Sequence, residues 1–148
     1  MWLFIASEVM LFGGLFSAYV LLRAGASHWD HGGSFISLTM GLGFTALLAL
    51  ATLALTRRTR QALALVTGAG TLFLAVKAWS YATMWNAGVV PATSTFAALY
   101  YLITGVHALH VLGGVIASLW FAQRARVLWL YWGFVDVVWI GILIAFYS

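Results

Sequence analysis

The chain has 148 residues, 64% of them hydrophobic and only 7% charged. A water-facing surface needs far more charge, so this composition excludes a soluble domain, a Rossmann or P-loop module, and nucleic-acid binding as the purpose of the +4 net charge. Without cysteine there are no disulfides, thiolate metal sites or cysteine nucleophiles.

At about 20 apolar residues per membrane span, the hydrophobic residues fill about five spans. The expected fold is all-α: a polytopic membrane protein with a single domain over residues 1–148, its helices at about 2–22, 34–56, 62–84, 95–122 and 127–147. Met1 to Leu22 superficially resembles a signal peptide with a small-residue site at Ala24-Gly25-Ala26. No positive residue precedes the run and Glu8 interrupts it, so a retained helix is expected. The connection Arg23–Gly33 holds Asp30, His28 and His31, read as solvated. The second connection carries Arg57, Arg58 and Arg60, the third holds the single proline, Pro91, and the fourth carries Arg124 and Arg126. Lys and Arg are retained on the cytoplasmic side of short loops, which predicts an N terminus inside and a C terminus outside.

Trp2, Trp29, Trp79, Trp85, Trp129, Tyr131 and Trp132 lie near span ends, where amphipathic rings suit the headgroup layer. Gly13-Gly14 with Ala18, Gly41-Gly43, Gly68-Gly70 and Gly113-Gly114 with Ala117 offer small faces for close helix packing.

Seven of the charged residues fall in connections, leaving Glu8, Lys77 and Asp136 inside spans together with His107 and His110. A charge near the bilayer centre costs at least about 2.5 to 3.5 kcal/mol on insertion scales, so such groups face the bundle interior and find partners. His107 and His110, three residues apart, share a helix face with Thr104 and Gly114, and a carboxylate from a neighbouring helix can reach either imidazole. Two readings of Glu8 stand: a site that exchanges protons, or a protonated carboxyl hydrogen-bonded to a histidine or a backbone carbonyl. Asp136 reads the same way, with structure the stronger role. Lys77 is expected to snorkel toward the outer surface or to form an ion pair. A metal held by His107 and His110 ranks last, and no nucleophile with its base is present.

At these residues the chain resembles subunit III of the haem-copper (cytochrome c) oxidases. Trp2-Leu3-Phe4-Ile5-Ala6-Ser7-Glu8-Val9-Met10, with Phe12, Gly14-Leu15-Phe16 and Ala18-Tyr19, is similar to that family's glutamate-bearing helix. Thr104-Gly105-Val106-His107-Ala108-Leu109-His110 and Tyr131-Trp132-Gly133-Phe134-Val135-Asp136-Val137-Val138-Trp139 resemble two further family segments. The family's acidic residue is replaced by Ser80 in Lys77-Ala78-Trp79-Ser80-Tyr81, and its Tyr-Trp-His histidine by Gly133. The likeness covers the last five helices of the seven-helix form.

The resemblance implies a subunit without a catalytic centre, haem, copper or other metal of its own. It would flank subunit I of a proton-pumping terminal oxidase, with subunit II and other respiratory complexes as further partners, in the inner (plasma) membrane of a bacterium. It would stabilise the catalytic subunit, sustain proton uptake and bind structural phospholipid. Glu8, His107, His110 and Asp136 would form a buried polar network, with Arg124, Arg126, Trp132 and Lys77 at lipid or subunit contacts. Two alternatives are an accessory subunit of nitric oxide reductase and an independent proton or ion transporter built on Glu8, Lys77 and Asp136.

Overall fold

The computed structural model describes residues 2–27, 29, 38–57, 59–120 and 125–147, with the backbone alone for Trp2, Leu38, Met40, Ala125 and Tyr147. His28, Asp30, His31, Arg58, Arg124 and the expected span ends at Ser34 and Ala122 lie outside the described residues.

The described residues form five α-helices and no strand: α1 (Trp2–Gly25), α2 (Leu38–Ala54, continued by a 3-10 turn at Leu55–Arg57), α3 (Arg60–Asn86), α4 (Thr95–Trp120) and α5 (Ala125–Tyr147). Hydrocarbon offers the backbone no hydrogen bonds, so a helix is the single-segment solution for such apolar runs. Hydroxyls inside the spans obey the same rule: Thr45, Thr67 and Thr104 donate to the carbonyls of Gly41, Leu63 and Tyr100, four residues back. Four helices are long and apolar enough to cross a membrane, while the described part of α2 is shorter.

The helix ends are set by side chains. Thr59 caps α3 by accepting from the Ala62 N–H, and Ser94 caps α4 by accepting from Ala97. At the far end of α3 the chain turns through Gly88, whose φ of 79° favours glycine, and the Val89 N–H closes onto the Met84 carbonyl. The Tyr101 hydroxyl then ties this connection to α4 through the Val89 carbonyl.

Helices α2 to α5 close on one another, and α1 lies along the outside of α4 and α5. Trp132 of α5 fills the centre of this group at 0% exposure. Its ring occupies the space that side chains at Gly70 of α3 and Gly114 of α4 would need: a Cβ on Gly70 would stand 2.7 Å from Trp132 Cη2, and one on Gly114 would stand 2.9 Å from Tyr131 Cε1 and 3.0 Å from Trp132 Cζ2. The indole N–H donates to the Ser118 hydroxyl across 3.0 Å. The expectation of Trp132 at a lipid or subunit surface is therefore corrected, because two glycines open a slot one ring wide and draw it inward. Trp79 and Trp85 do face outward. Of the small-residue faces, Gly70 and Gly114 meet a neighbouring ring, whereas Cβ atoms at Gly13, Gly14, Gly43 and Gly68 would touch nothing within 4 Å.

Candidate functional site

Glu8 sits two turns into α1, on the face turned toward α4, where Phe12 also packs. Its Oε2 lies 2.6 Å from His110 Nε2, and the two side chains are 14% and 16% exposed. His110 is held on its other side, with Nδ1 2.8 Å from the Val106 carbonyl one turn back. A carbonyl only accepts, so Nδ1 carries its hydrogen. Nε2 then either accepts from a protonated Glu8 or, as imidazolium, donates to a carboxylate. Both forms have zero net charge, and both keep a proton between Glu8 and His110. Losing it would set two acceptors face to face in hydrocarbon. Phe12 lies edge-on to the His110 ring at 5.2 Å, and the Tyr131 hydroxyl donates to the His110 carbonyl at 2.7 Å, so neighbours fix the imidazole in place.

His107, one turn earlier on α4, packs against other helices. It is fully buried, stacked on Trp139 at 5.2 Å and 21°, with Phe73 edge-on at 5.6 Å. Neither ring nitrogen finds a hydrogen-bond partner among the described residues. Neighbours on one side of α4, the two histidines thus meet different helices, His110 contacting α1 and His107 contacting α3 and α5. Among the described residues no three His, Asp or Glu side chains converge on one point.

Lys77 overturns both expectations placed on it. Its side chain neither reaches the surface nor meets a carboxylate within ion-pair distance among the described residues, and the residue is 7% exposed. Nζ donates to the Tyr100 hydroxyl at 2.8 Å and lies 4.7, 5.4 and 5.4 Å from the ring centroids of Tyr100, Tyr81 and Trp139. Three rings from three helices thus receive the charge by their faces instead of a carboxylate. Tyr81 continues the polar group, with its hydroxyl 2.6 Å from that of Thr104. Sequence analysis does not single out Tyr81 or Tyr100 as partners of Lys77, because the contacts cross from α3 to α4.

Asp136 stands apart from the histidines. It lies on α5 beside Thr52 of α2, and the Thr52 hydroxyl and Asp136 Oδ1 are both buried without a satisfactory hydrogen bond among the described residues. The expected four-residue network therefore resolves into three places: Glu8 with His110, His107 near Lys77, and Asp136 beside Thr52. Arg126 is exposed in the first turn of α5.

These features can be set beside known proteins. No family model matches the chain. It is 30% identical over 171 residues to the "Cytochrome c oxidase subunit 3" of Corynebacterium diphtheriae, an alignment covering 97% of this chain and 83% of that protein. The chain belongs to the cytochrome c oxidase subunit III family. Subunit 3 of Thermostichus vulcanus agrees, at 30% identity with 93% of this chain and 79% of that protein covered. The "Heme-copper oxidase subunit I+III" of Aeropyrum pernix is 31% identical over 94% of this chain but only 21% of its own length. Membership makes this chain part of an oxidase complex and a membrane protein, in keeping with its apolar helices.

Proposed function

We propose that this chain is the non-catalytic subunit III of a proton-pumping haem-copper terminal oxidase in a bacterial plasma membrane, binding subunit I as its main partner and holding phospholipid at its edges. The observation that carries the reading is the Glu8–His110 pair. A subunit set in lipid beside a proton-pumping partner can use polar groups that hold a shared proton without net charge, and this pair of a carboxyl beside an imidazole supports that reading. Its partial exposure lies where α1 meets α4, on the more loosely packed side of the bundle. From there it can sustain proton supply at the subunit boundary. The Aeropyrum pernix relative, named as subunits I and III in one chain, supports placing subunit I against this chain.

The orientation proposed is N terminus inside. Arg57, Arg60 and Arg126 all lie at the end of the bundle where α1 begins. Arg60 and Arg126 stand in the first turns of α3 and α5, where the helix dipole disfavours a cation. Retention of positive charge on the cytoplasmic side accounts for them better than helix stability does. Arg126, exposed at that surface, suits lipid phosphate.

The test is a mild-detergent pull-down of the tagged chain from native membranes, followed by an absorption spectrum and peptide identification. Haem-bearing oxidase subunits in the eluate, with a colourless separated chain, support the reading. Recovery with nitric oxide reductase transfers the chain to that complex. A chain that emerges alone refutes the accessory role.

A further inference from the structure

We propose that the cavity of about 480 Å³ between the end of α1 and the start of α4 binds the ring of a quinone-class amphiphile. The site stands on the membrane-spanning fold and not on which partner subunits the chain meets. Cavities that hold small molecules typically measure about 300 to 1,000 Å³ and combine apolar walls with a few placed polar groups. Three kinds of wall meet here. Leu21, Leu22 and Ala26 are aliphatic, Trp29 and Phe96 are aromatic, and Ser94 and Thr95 carry hydroxyls. Trp29 meets Phe96 at 6.0 Å and Tyr19 at 5.6 Å, both at 85°, which fixes the indole between α4 and α1. Since α1 ends at Gly25 and α4 begins at Thr95, the cavity lies at the level where hydrocarbon gives way to headgroups.

The lining selects among membrane-soluble ligands. Among the described residues no charged side chain lines the cavity, and Arg23, next to Leu22 in sequence, donates instead to the Tyr19 hydroxyl at 3.1 Å. A phosphate headgroup would therefore lack its cation, and a bare acyl chain would leave the hydroxyls unused. A quinone meets both constraints, with an uncharged flat ring and two carbonyl acceptors. Thr95 offers a hydroxyl donor, and Ser94, whose oxygen accepts from the Ala97 N–H, keeps its own hydrogen to donate. The tail also has a path. Leu21 and Leu22 line the cavity and are exposed, with Val20, on the surface of α1, so an isoprenoid chain passes from the ring onto apolar surface.

The experiment is photolabelling of the full chain in phosphatidylcholine vesicles with an azido-substituted decylbenzoquinone, followed by peptide mapping. The expected adducts are confined to residues 21–26, 29 and 94–96. With the probe saturating, about a tenfold excess of unlabelled decylubiquinone lowers them about tenfold by mass action, whereas the same amount of phosphatidylglycerol leaves them unchanged. Thr95→Val raises the half-labelling concentration about fivefold, the factor for one hydrogen bond. Gly25→Leu fills the cavity from a position where a Cβ meets nothing within 4 Å, so it abolishes labelling with helical circular dichroism unchanged. In the unmodified protein, adducts spread over the exposed leucines of α1 and α4, labelling that unlabelled quinone does not displace, or labelling that phosphatidylglycerol displaces equally each overturns the proposal, even if a variant fails to fold. Labelling that survives in folded Gly25→Leu overturns it too.

Discussion

Replacing Glu8 separates the hydrogen bond from the proton. In Glu8→Gln the amide has nearly the carboxyl's shape and donates to His110 Nε2 while Nδ1 keeps the Val106 carbonyl. The variant keeps the contact without an exchangeable carboxyl proton, and its cost in stability should stay below about 1 kcal/mol, the scale of one hydrogen bond. Glu8→Leu leaves Nε2 without a partner, and orphaning a buried acceptor costs about 1 to 3 kcal/mol. The side chains are 14% and 16% exposed, so little water is at hand to compensate. His110→Phe strands the carboxyl with a similar penalty, whereas the Glu8→Leu/His110→Phe double variant removes both polar groups. The double variant should recover much of the loss, with a coupling of about 1 to 3 kcal/mol. The assay is unfolding of the purified chain in mixed micelles with increasing denaturing detergent, followed by helical circular dichroism. Additive single losses, or a Glu8→Gln variant as unstable as Glu8→Leu, would refute the shared-proton pairing.

Gly114→Ala and Gly70→Ala should each cost about 1 to 3 kcal/mol, since the new methyl would meet the rigid Trp132 ring within 3.0 Å; Gly68→Ala, with nothing within 4 Å, serves as the silent control in the same unfolding assay. Tyr19→Phe removes the hydroxyl that donates to the Ala145 carbonyl and receives Arg23 at 3.1 Å; hydrogen exchange should quicken in the second half of α1 while α3 and α4 stay protected, and uniform protection would sink this expectation. Thr52→Val deletes a buried hydroxyl lacking a satisfactory bond, so stability should hold or rise; a loss above about 1 kcal/mol would mean that Thr52 and Asp136 are hydrogen-bonded after all.

The legible part of the molecule follows from rules with a single outcome. Five apolar runs, the connections and the pairing of an intramembrane carboxylate with a histidine all follow from the cost of unsatisfied polarity in lipid. Which acid meets which imidazole is not legible, because α1 and α5 each offer one acid and α4 presents both His107 and His110; the structure pairs Glu8 with His110. Trp132 was misplaced because a tryptophan near a helix end reads as an anchor, and its enclosure depends on two glycines 44 positions apart, Gly70 and Gly114. Lys77 was misplaced for a related reason. Snorkelling presumes open lipid around the stem, but the rings of Tyr81, Tyr100 and Trp139 close over the ammonium. Those contacts run between helices, and no spacing within one helix announces them.

The uneven attachment of α1 follows from the same physics. Helices in lipid gain little by hiding apolar surface, since the tails are as apolar as leucine. Position is then set by close packing and by polar bonds. The interior helices have the first in quantity around Trp132, Gly70 and Gly114. α1 has less of it, and large outward side chains such as Leu3, Met10 and Leu21 remain exposed. Its register instead depends on three fixed points along one side: Glu8 on His110, the Phe16 ring 3.1 Å from where a Cβ on Gly141 would stand, and the Tyr19 hydroxyl on the Ala145 carbonyl. Two of the three are polar and specific in direction, so α1 cannot slide or rotate without breaking them. Glu8 therefore has a positional role whichever partner holds the proton, and Glu8→Gln with Tyr19→Phe should weaken α1 less than Glu8→Leu with Tyr19→Phe. Equal hydrogen exchange of α1 in the two double variants would show that polar bonds do not set its position.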